Sequence, residues 1–168
     1  VNALGVLSAA SSEYHVTIDT TAPATPTVTA LTTNDTTPVV SGTAEAGSTV
    51  EVTVGGATYT VTANGSGQWS VDTRTATPAS GTFSLGADGA KTVSVTSTDA
   101  AGNSSSGNGS LTLDTVAPTV PVISAVTDDV GSLTGALSSG ARTDDPSLVI
   151  TGTCEAGSTV KVYDGSTL

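Results

Sequence analysis

Basic residues are scarce in this chain: four Lys and Arg stand against 15 Asp and Glu, a formal net charge of −11 over 168 residues. Phosphate backbones are bound through a basic footprint, so this balance argues against nucleic acid. It argues equally against anionic membrane surfaces. No apolar run is long enough to span a bilayer, and no signal-peptide pattern is present. The chain opens on Val1 and stops inside a repeat, which reads as an excerpt of something longer. The one cysteine, Cys154, forbids an intrachain disulfide; Ala44 holds the matching place in the other copy, so Cys154 reads as a small apolar side chain. His15 is the sole histidine, which leaves a zinc site or a His-based triad without a second partner. The glycine-rich stretches are turns rather than phosphate loops, since no helix or placed lysine follows them. An enzyme is not expected.

Methionine is absent and only 3% of residues are aromatic. So little bulk borders on the composition of disorder. Threonine and valine are abundant instead, and β-branched side chains fill a pleated, half-buried surface. The acidic surplus suits solubility and divalent cations.

The chain repeats itself. "DTTAP" at 19–23 returns as "DTVAP" at 114–118; Asp19 and Asp114, Pro23 and Pro118, and Pro26 and Pro121 are each 95 residues apart. "VVSGTAEAGSTVEV" at 39–52 returns as "VITGTCEAGSTVKV" at 149–162, an offset of 110. The second copy therefore carries about 15 extra residues, within "TDDVGSLTGALSSGARTDD" at 127–145. Repeats at a fixed period mark a modular architecture. Residues 1–20 read as the last strand of a preceding module, 21–115 as a complete module, and 116–168 as the N-terminal part of a following one. That last part buries too little to be stable alone.

Within the complete module, period-2 alternation and turn signals predict seven strands, at about 26–31, 38–43, 48–54, 57–63, 68–73, 90–97 and 109–114. Val50, Val52 and Val54 share one face, with Thr49, Glu51 and Thr53 on the other. "GG" at 55–56 is a hairpin turn. Trp69, the only tryptophan, belongs in the core. The expected fold is all-β: tandem seven-stranded antiparallel immunoglobulin-like sandwiches.

"IDTTAPATP", "SGTAEAGSTVEV", "TSTDAAGNSS", "LDTVAPTVP" and "TDDVGSLTG" together resemble the tandem bacterial immunoglobulin-like repeats of giant surface adhesins: Bap-type proteins, RTX adhesins and large non-fimbrial adhesins. The resemblance implies an extracellular stalk at the bacterial cell surface. It implies Ca2+ near the linkers, neighbouring modules of the same chain as partners, and a host or abiotic surface reached through other domains. Sandwich topology then brings Asp19 to the pole where Glu45, Asp99 and Asn103 lie. These are hard oxygen donors of the kind Ca2+ takes. Asp114 repeats the arrangement with Glu155. Asp128, Asp129, Asp144 and Asp145 bracket the inserted segment and form a third acidic set. Without an EF-hand loop, affinity is expected in the ~10⁻⁴–10⁻³ M range of extracellular modules. Asp35, Asp72, Asp88 and Asp164 read as ordinary turn residues. Two other roles stay open: a module that binds glycan, ice or a host surface, and a subunit of a self-assembling filament or surface layer.

Overall fold

The structure, a computed structural model, describes residues 3–5, 12–132 and 134–163. It falls into two compact units, Val1–Thr115 and Val116–Leu168. No helix occurs among the described residues.

The first unit is the expected all-β sandwich. Its strands are β1 (Thr27–Val28), β2 (Leu31–Thr33), β3 (Val39–Thr43), β4 (Thr49–Val54), β5 (Ala57–Thr62), β6 (Gln68–Asp72), β7 (Ser80–Gly81), β8 (Gly89–Thr98) and β9 (Ser104–Leu113). One sheet has the order β2-β9-β8-β4-β5-β7 and the other β1-β3-β6. Alternation along β4 is as the sequence predicts: Val50, Val52 and Val54 are buried, while Thr49, Glu51 and Thr53 are exposed. Val93, Val95, Leu111 and Leu113 join them from β8 and β9, and Val40, Trp69 and Val71 from the facing sheet. The β4–β5 turn uses Gly55 and Gly56, both at positive φ (57° and 79°), the conformation of a tight hairpin.

A core of small side chains accommodates two large rings by local thinning. Trp69 stands opposite Gly42 across the β3–β6 pair. Its Cζ2 lies 2.6 Å from where a Cβ on Gly42 would be, so only glycine admits the ring. Tyr59 packs edge-on against Phe83.

Within residues 21–115 the structure departs from the sequence reading in three places. The strand expected at about 26–31 divides. Its first part, β1, pairs antiparallel with β3, and its second part, β2, runs parallel to β9 in the other sheet. The sandwich is therefore not wholly antiparallel. The stretch between the strands expected at about 68–73 and 90–97 contains β7, paired with β5. The final strand begins at Ser104 rather than near 109. "SSSGNGS" has weak strand propensity, yet its glycines serve the crossing of the chain over β9. A Cβ on Gly109 would stand 2.6 Å from Cβ of Val28, and one on Gly107 would collide with the Pro26 carbonyl.

The second unit contains β10 (Val122–Asp128), β11 (Gly135–Ala136) and β12 (Val149–Thr153), in the order β11-β10-β12. Its register repeats that of the first unit. Thr27↔Thr43 and Val28↔Gly42 become Val122↔Thr153 and Ile123↔Gly152. Residues 159–163 match β4 in sequence but make no ladder. In the first unit β4 pairs with β5 and β8, and neither has a counterpart within 116–163. Residues 12–20, expected as the end of a preceding module, are exposed and form no strand; the remainder of the 1–20 segment is described only at 3–5.

The glycine crossing is directly testable. Gly109→Ala should destabilise the first unit by about 1–3 kcal/mol through overpacking. Ser110→Ala, its exposed neighbour, should stay within about 0.5 kcal/mol. Urea unfolding followed by Trp69 fluorescence reads this unit alone; equal midpoints would count against the crossing as a constraint.

Candidate functional site

Asp99 opens the turn between β8 and β9. Its Oδ1 accepts the amides of Ala101 (2.9 Å) and Asn103 (2.8 Å), and its Oδ2 accepts Asn103 Nδ2 (2.9 Å). These bonds, the Asn103 side chain foremost, hold the Asp99 carboxyl below the usual range against the opposing effect of partial burial. The same Nδ2 also donates to the main-chain carbonyl of Asp19 at 3.2 Å. Ser105 Oγ donates to the carbonyl of Ala24 (3.1 Å), and Pro23 and Pro26 are buried. The segment before β1 is thereby fastened along the β8–β9 turn. Asp19 Oδ1 is occupied locally, accepting the Thr21 amide at 2.9 Å.

Glu45 lies in the β3–β4 turn with its side chain exposed. Its carbonyl accepts both the amide and the hydroxyl of Ser48 (3.1 and 2.7 Å). The structure thus joins Asp19, Asp99 and Asn103 in one hydrogen-bonded group and leaves Glu45 outside it. Glu155 repeats the turn, with the same two bonds from Ser158, and its Oε2 also accepts the amide of Thr119 at 3.0 Å.

At the opposite pole, the Asp114 amide donates to the Thr33 carbonyl (3.0 Å), extending the β2–β9 pair. Asp88 then takes hold of the departing chain: Oδ2 accepts the Thr115 amide (2.8 Å), and both oxygens accept its hydroxyl (3.0 and 3.2 Å). Sequence reasoning treated Asp88 as a turn residue and missed this clamp. The only signal was that Asp88 directly precedes β8, whose first residue stands opposite Leu113 at the end of β9. Asp35 accepts the amide and hydroxyl of Thr37 and pairs with Arg74 at 3.2 Å. Its carboxyl is likewise held low, by the Thr37 amide first, then that hydroxyl and the Arg74 charge, with desolvation opposing. Asp72 caps its own turn through Arg74 N and Thr75 Oγ1. Asp164 lies outside the described residues.

In the second unit the two ends of the insertion meet. Thr143 Oγ1 donates to Asp128 Oδ2 at 2.5 Å, and the Asp129 amide to Asp145 Oδ2 at 3.3 Å. Asp128 and Asp145 are both buried. The amides of Val130 and Ser147, both neutral, also donate to them. The Asp144 carboxylate lies against Gly131, close enough that a Cβ there would collide with it. Two buried carboxylates in one small unit repel each other, and no salt bridge reaches either among the described residues.

The donors at these places are hard oxygens, which suit Ca2+ in type. Among the described residues, however, no three or more His, Cys, Asp or Glu side chains are grouped to hold an ion. Main-chain carbonyls, the Asn103 amide oxygen or water would have to complete any shell.

The family of bacterial Ig-like domains matches residues 16–115, more than half of the chain. The chain belongs to the bacterial Ig-like domain family. This is not a family known for catalysis. Among solved structures, the chain is similar to a Ca2+-stabilized adhesin that helps an Antarctic bacterium reach out and bind ice. The two are 33% identical, and the match covers 66% of this chain and 29% of that one, with a TM-score of 0.35. The present chain thus spans well under two thirds of that structure's length. No curated protein matches. No helix of the described residues is long and apolar enough to cross a membrane.

The two lowered carboxyls of the Ig-like unit give a pH dependence of known sign. Their protons bind more tightly in the unfolded chain, so stability rises with pH through the acid range. The contribution is fully present above the ordinary carboxylate pKa of about 3.9. It is lost as pH falls through the lower folded values. Replacing both, Asp35→Asn with Asp99→Asn, should flatten the acid limb of a plot of urea midpoint against pH. A limb as steep as that of the parent would contradict the assignment.

Proposed function

We propose that this chain is a structural extender of a secreted bacterial adhesin, in which consecutive Ig-like modules form a stalk at the cell surface whose joints Ca2+ stiffens. Such a stalk serves cell adhesion or biofilm formation by holding other domains away from the cell. The observation that carries this reading is the fastening of residues 19–26 to the module they lead into.

The Asn103 NH2 group sits between two oxygens, the Asp19 carbonyl and an Asp99 carboxylate oxygen. Positive hydrogens there do what a cation does. A half-turn of the amide would present Oδ1 in their place, making three oxygens face one point; amide orientation is set by the hydrogen-bond network around it. Asp19, Asp99 and Asn103, with Glu45 on the adjoining turn, are the residues that would hold Ca2+. Asp114 and Glu155 are their counterparts in the repeat, and Asp128, Asp129, Asp144 and Asp145 supply the acids of the insertion. Bound Ca2+ supplies positive charge where the chain has almost none of its own. At a hundred times its Kd, such an ion stabilises by about 2.7 kcal/mol.

Strand topology favours a load-bearing role as well. The chain enters the larger sheet through β2, just after β1, and leaves it through β9; the two are parallel neighbours with Leu31 opposite Leu111 and Thr33 opposite Leu113. A pull on the two ends slides one strand along the other, so their bonds resist together rather than one after another. The Asp88–Thr115 clamp lies at the end of this pair.

Small-angle scattering of the chain in Ca2+ and then in excess EGTA tests the joints. The maximum dimension should fall when Ca2+ is removed, and Asp99→Ala should behave in Ca2+ as the parent does in EGTA. An identical dimension in both buffers refutes calcium-stiffened joints. Force spectroscopy tests the load path separately: Thr33→Pro removes from β2 an amide that faces β9 and should lower the peak unfolding force of the first unit. A peak at the parental force would place the resistance elsewhere.

A further inference from the structure

Strand β8 is flanked by two acids, Asp88 directly before its first residue and Asp99 directly after its last. Each works at a different pole of the Ig-like unit. Asp99 belongs to the group that reaches the incoming chain, through Asn103 and the Asp19 carbonyl. Asp88 holds the outgoing chain at Thr115.

The hold at Thr115 has a specific form. A carboxylate offers two acceptor oxygens and no donor. Oδ2 of Asp88 takes the Thr115 amide and both oxygens take its hydroxyl, so one side chain closes on the main chain and the side chain of one residue. Hydrogen bonds to an ionised acceptor are roughly twice as strong as neutral ones. Burial does not supply this fixation, because Thr115 is exposed. The residue before it is tied as well, by the Asp114 amide on the Thr33 carbonyl. The chain thus stays attached for two residues past the end of β9.

Two features aim Asp88 at its target. Gly89 stands opposite Leu113, the last residue of β9, which brings Asp88 beside the departing chain. Its φ of 115° is open to glycine and strained for a residue with a Cβ. Lys91 of the same strand donates from Nζ to the Ala87 carbonyl at 2.5 Å and so anchors the residue before Asp88. The lysine directs its charge to that carbonyl, and no salt bridge ties Asp88 among the described residues. Both Asp88 oxygens serve Thr115.

We infer that Asp88 is a metal-free latch that fixes the path of the chain as it leaves the module. The recurring Asp-Thr pair then has a divided role. Asp19 is held through its carbonyl by the module the chain enters. Thr115, the counterpart of Thr20 at the same offset of 95, is held by the module the chain leaves. Joints of this kind are asymmetric, with Ca2+ acting at the entering pole and the latch at the leaving pole. The asymmetry rests on the calcium reading proposed above; the latch does not.

NMR of the whole 15N-labelled chain in EGTA tests the latch. Two quantities are read at the Thr115 amide: its exchange with solvent, and its 1H–15N nuclear Overhauser effect, which reports fast local motion. In the parent the Overhauser effect at Thr115 should match that at Leu113, and excess Ca2+ should change neither quantity. Asp88→Ala should speed exchange about tenfold, the order of one charge-assisted hydrogen bond, and lower the Overhauser effect, with Leu111 and Leu113 unchanged. Thr115→Val keeps the amide and loses the hydroxyl at an exposed position, and should give a smaller change of the same sign. An Overhauser effect and exchange rate untouched by Asp88→Ala overturn the latch. If that variant does not fold, Thr115→Val decides, and parental values there overturn it. A parental Thr115 that is mobile in EGTA and fixed only by Ca2+ also overturns it, since Asp88 would then belong to a metal site. A scattering dimension indifferent to Ca2+ overturns the asymmetry alone.

Discussion

The Ig-like unit depends on one close crossing. Between Pro26 and Val28 the chain passes over β9 at a distance only glycine permits, at Gly107 and Gly109. This passage lets one stretch of sequence serve both sheets, β1 in the smaller and β2 in the larger. It also buries Pro23 and Pro26 and brings the preceding segment within reach of Asn103 and Ser105. Core, strand order and linker attachment therefore share a single steric condition. A side chain at either glycine would push the incoming chain away from the turn that holds it.

The acids illustrate how a chain nearly devoid of lysine and arginine manages its charge. Among the described residues, Arg74 pairs with Asp35 and His15 with Glu13. Asp19, Asp72, Asp88, Asp99, Asp128, Asp145 and Glu155 are met by neutral donors, chiefly main-chain amides two residues ahead and nearby Thr or Asn side chains. Such bonds satisfy the oxygens and lower carboxyl pKa values where several converge, as at Asp99. They leave the net charge of the segment untouched. The same residues therefore work as turn formers by themselves and retain the donor chemistry that a divalent cation requires.

The two copies separate local from distant causes. "EAGS" forms the same turn twice, with amide and hydroxyl of the serine on the glutamate carbonyl, although one copy borders a closed core and the other an open face. Strand pairing across the glycine is also identical. Burial is not, because it depends on β5 to β9, which the described residues include for the first copy alone. The stretch "STVKV" shows the consequence: "STVEV" is a strand in one unit, and its near-copy has no ladder in the other.

Much of the fold was legible in the sequence because its signals are local. Alternating valine and threonine set the faces of β4, and paired glycines set the 55–56 hairpin. The incoming-pole group was legible in part: Asp99 and Asn103 share a turn, and Asp19 meets them through its carbonyl rather than its side chain. What only the tertiary structure decided were contacts between segments far apart in the chain. These are the division of the first strand between two sheets, the Asp88 hold on Thr115, the meeting of Asp128 with Thr143, and the position of Glu45 outside the linker group. Residue type records which bonds a side chain can make. Which partner stands within 3 Å is settled only when the sheets pack.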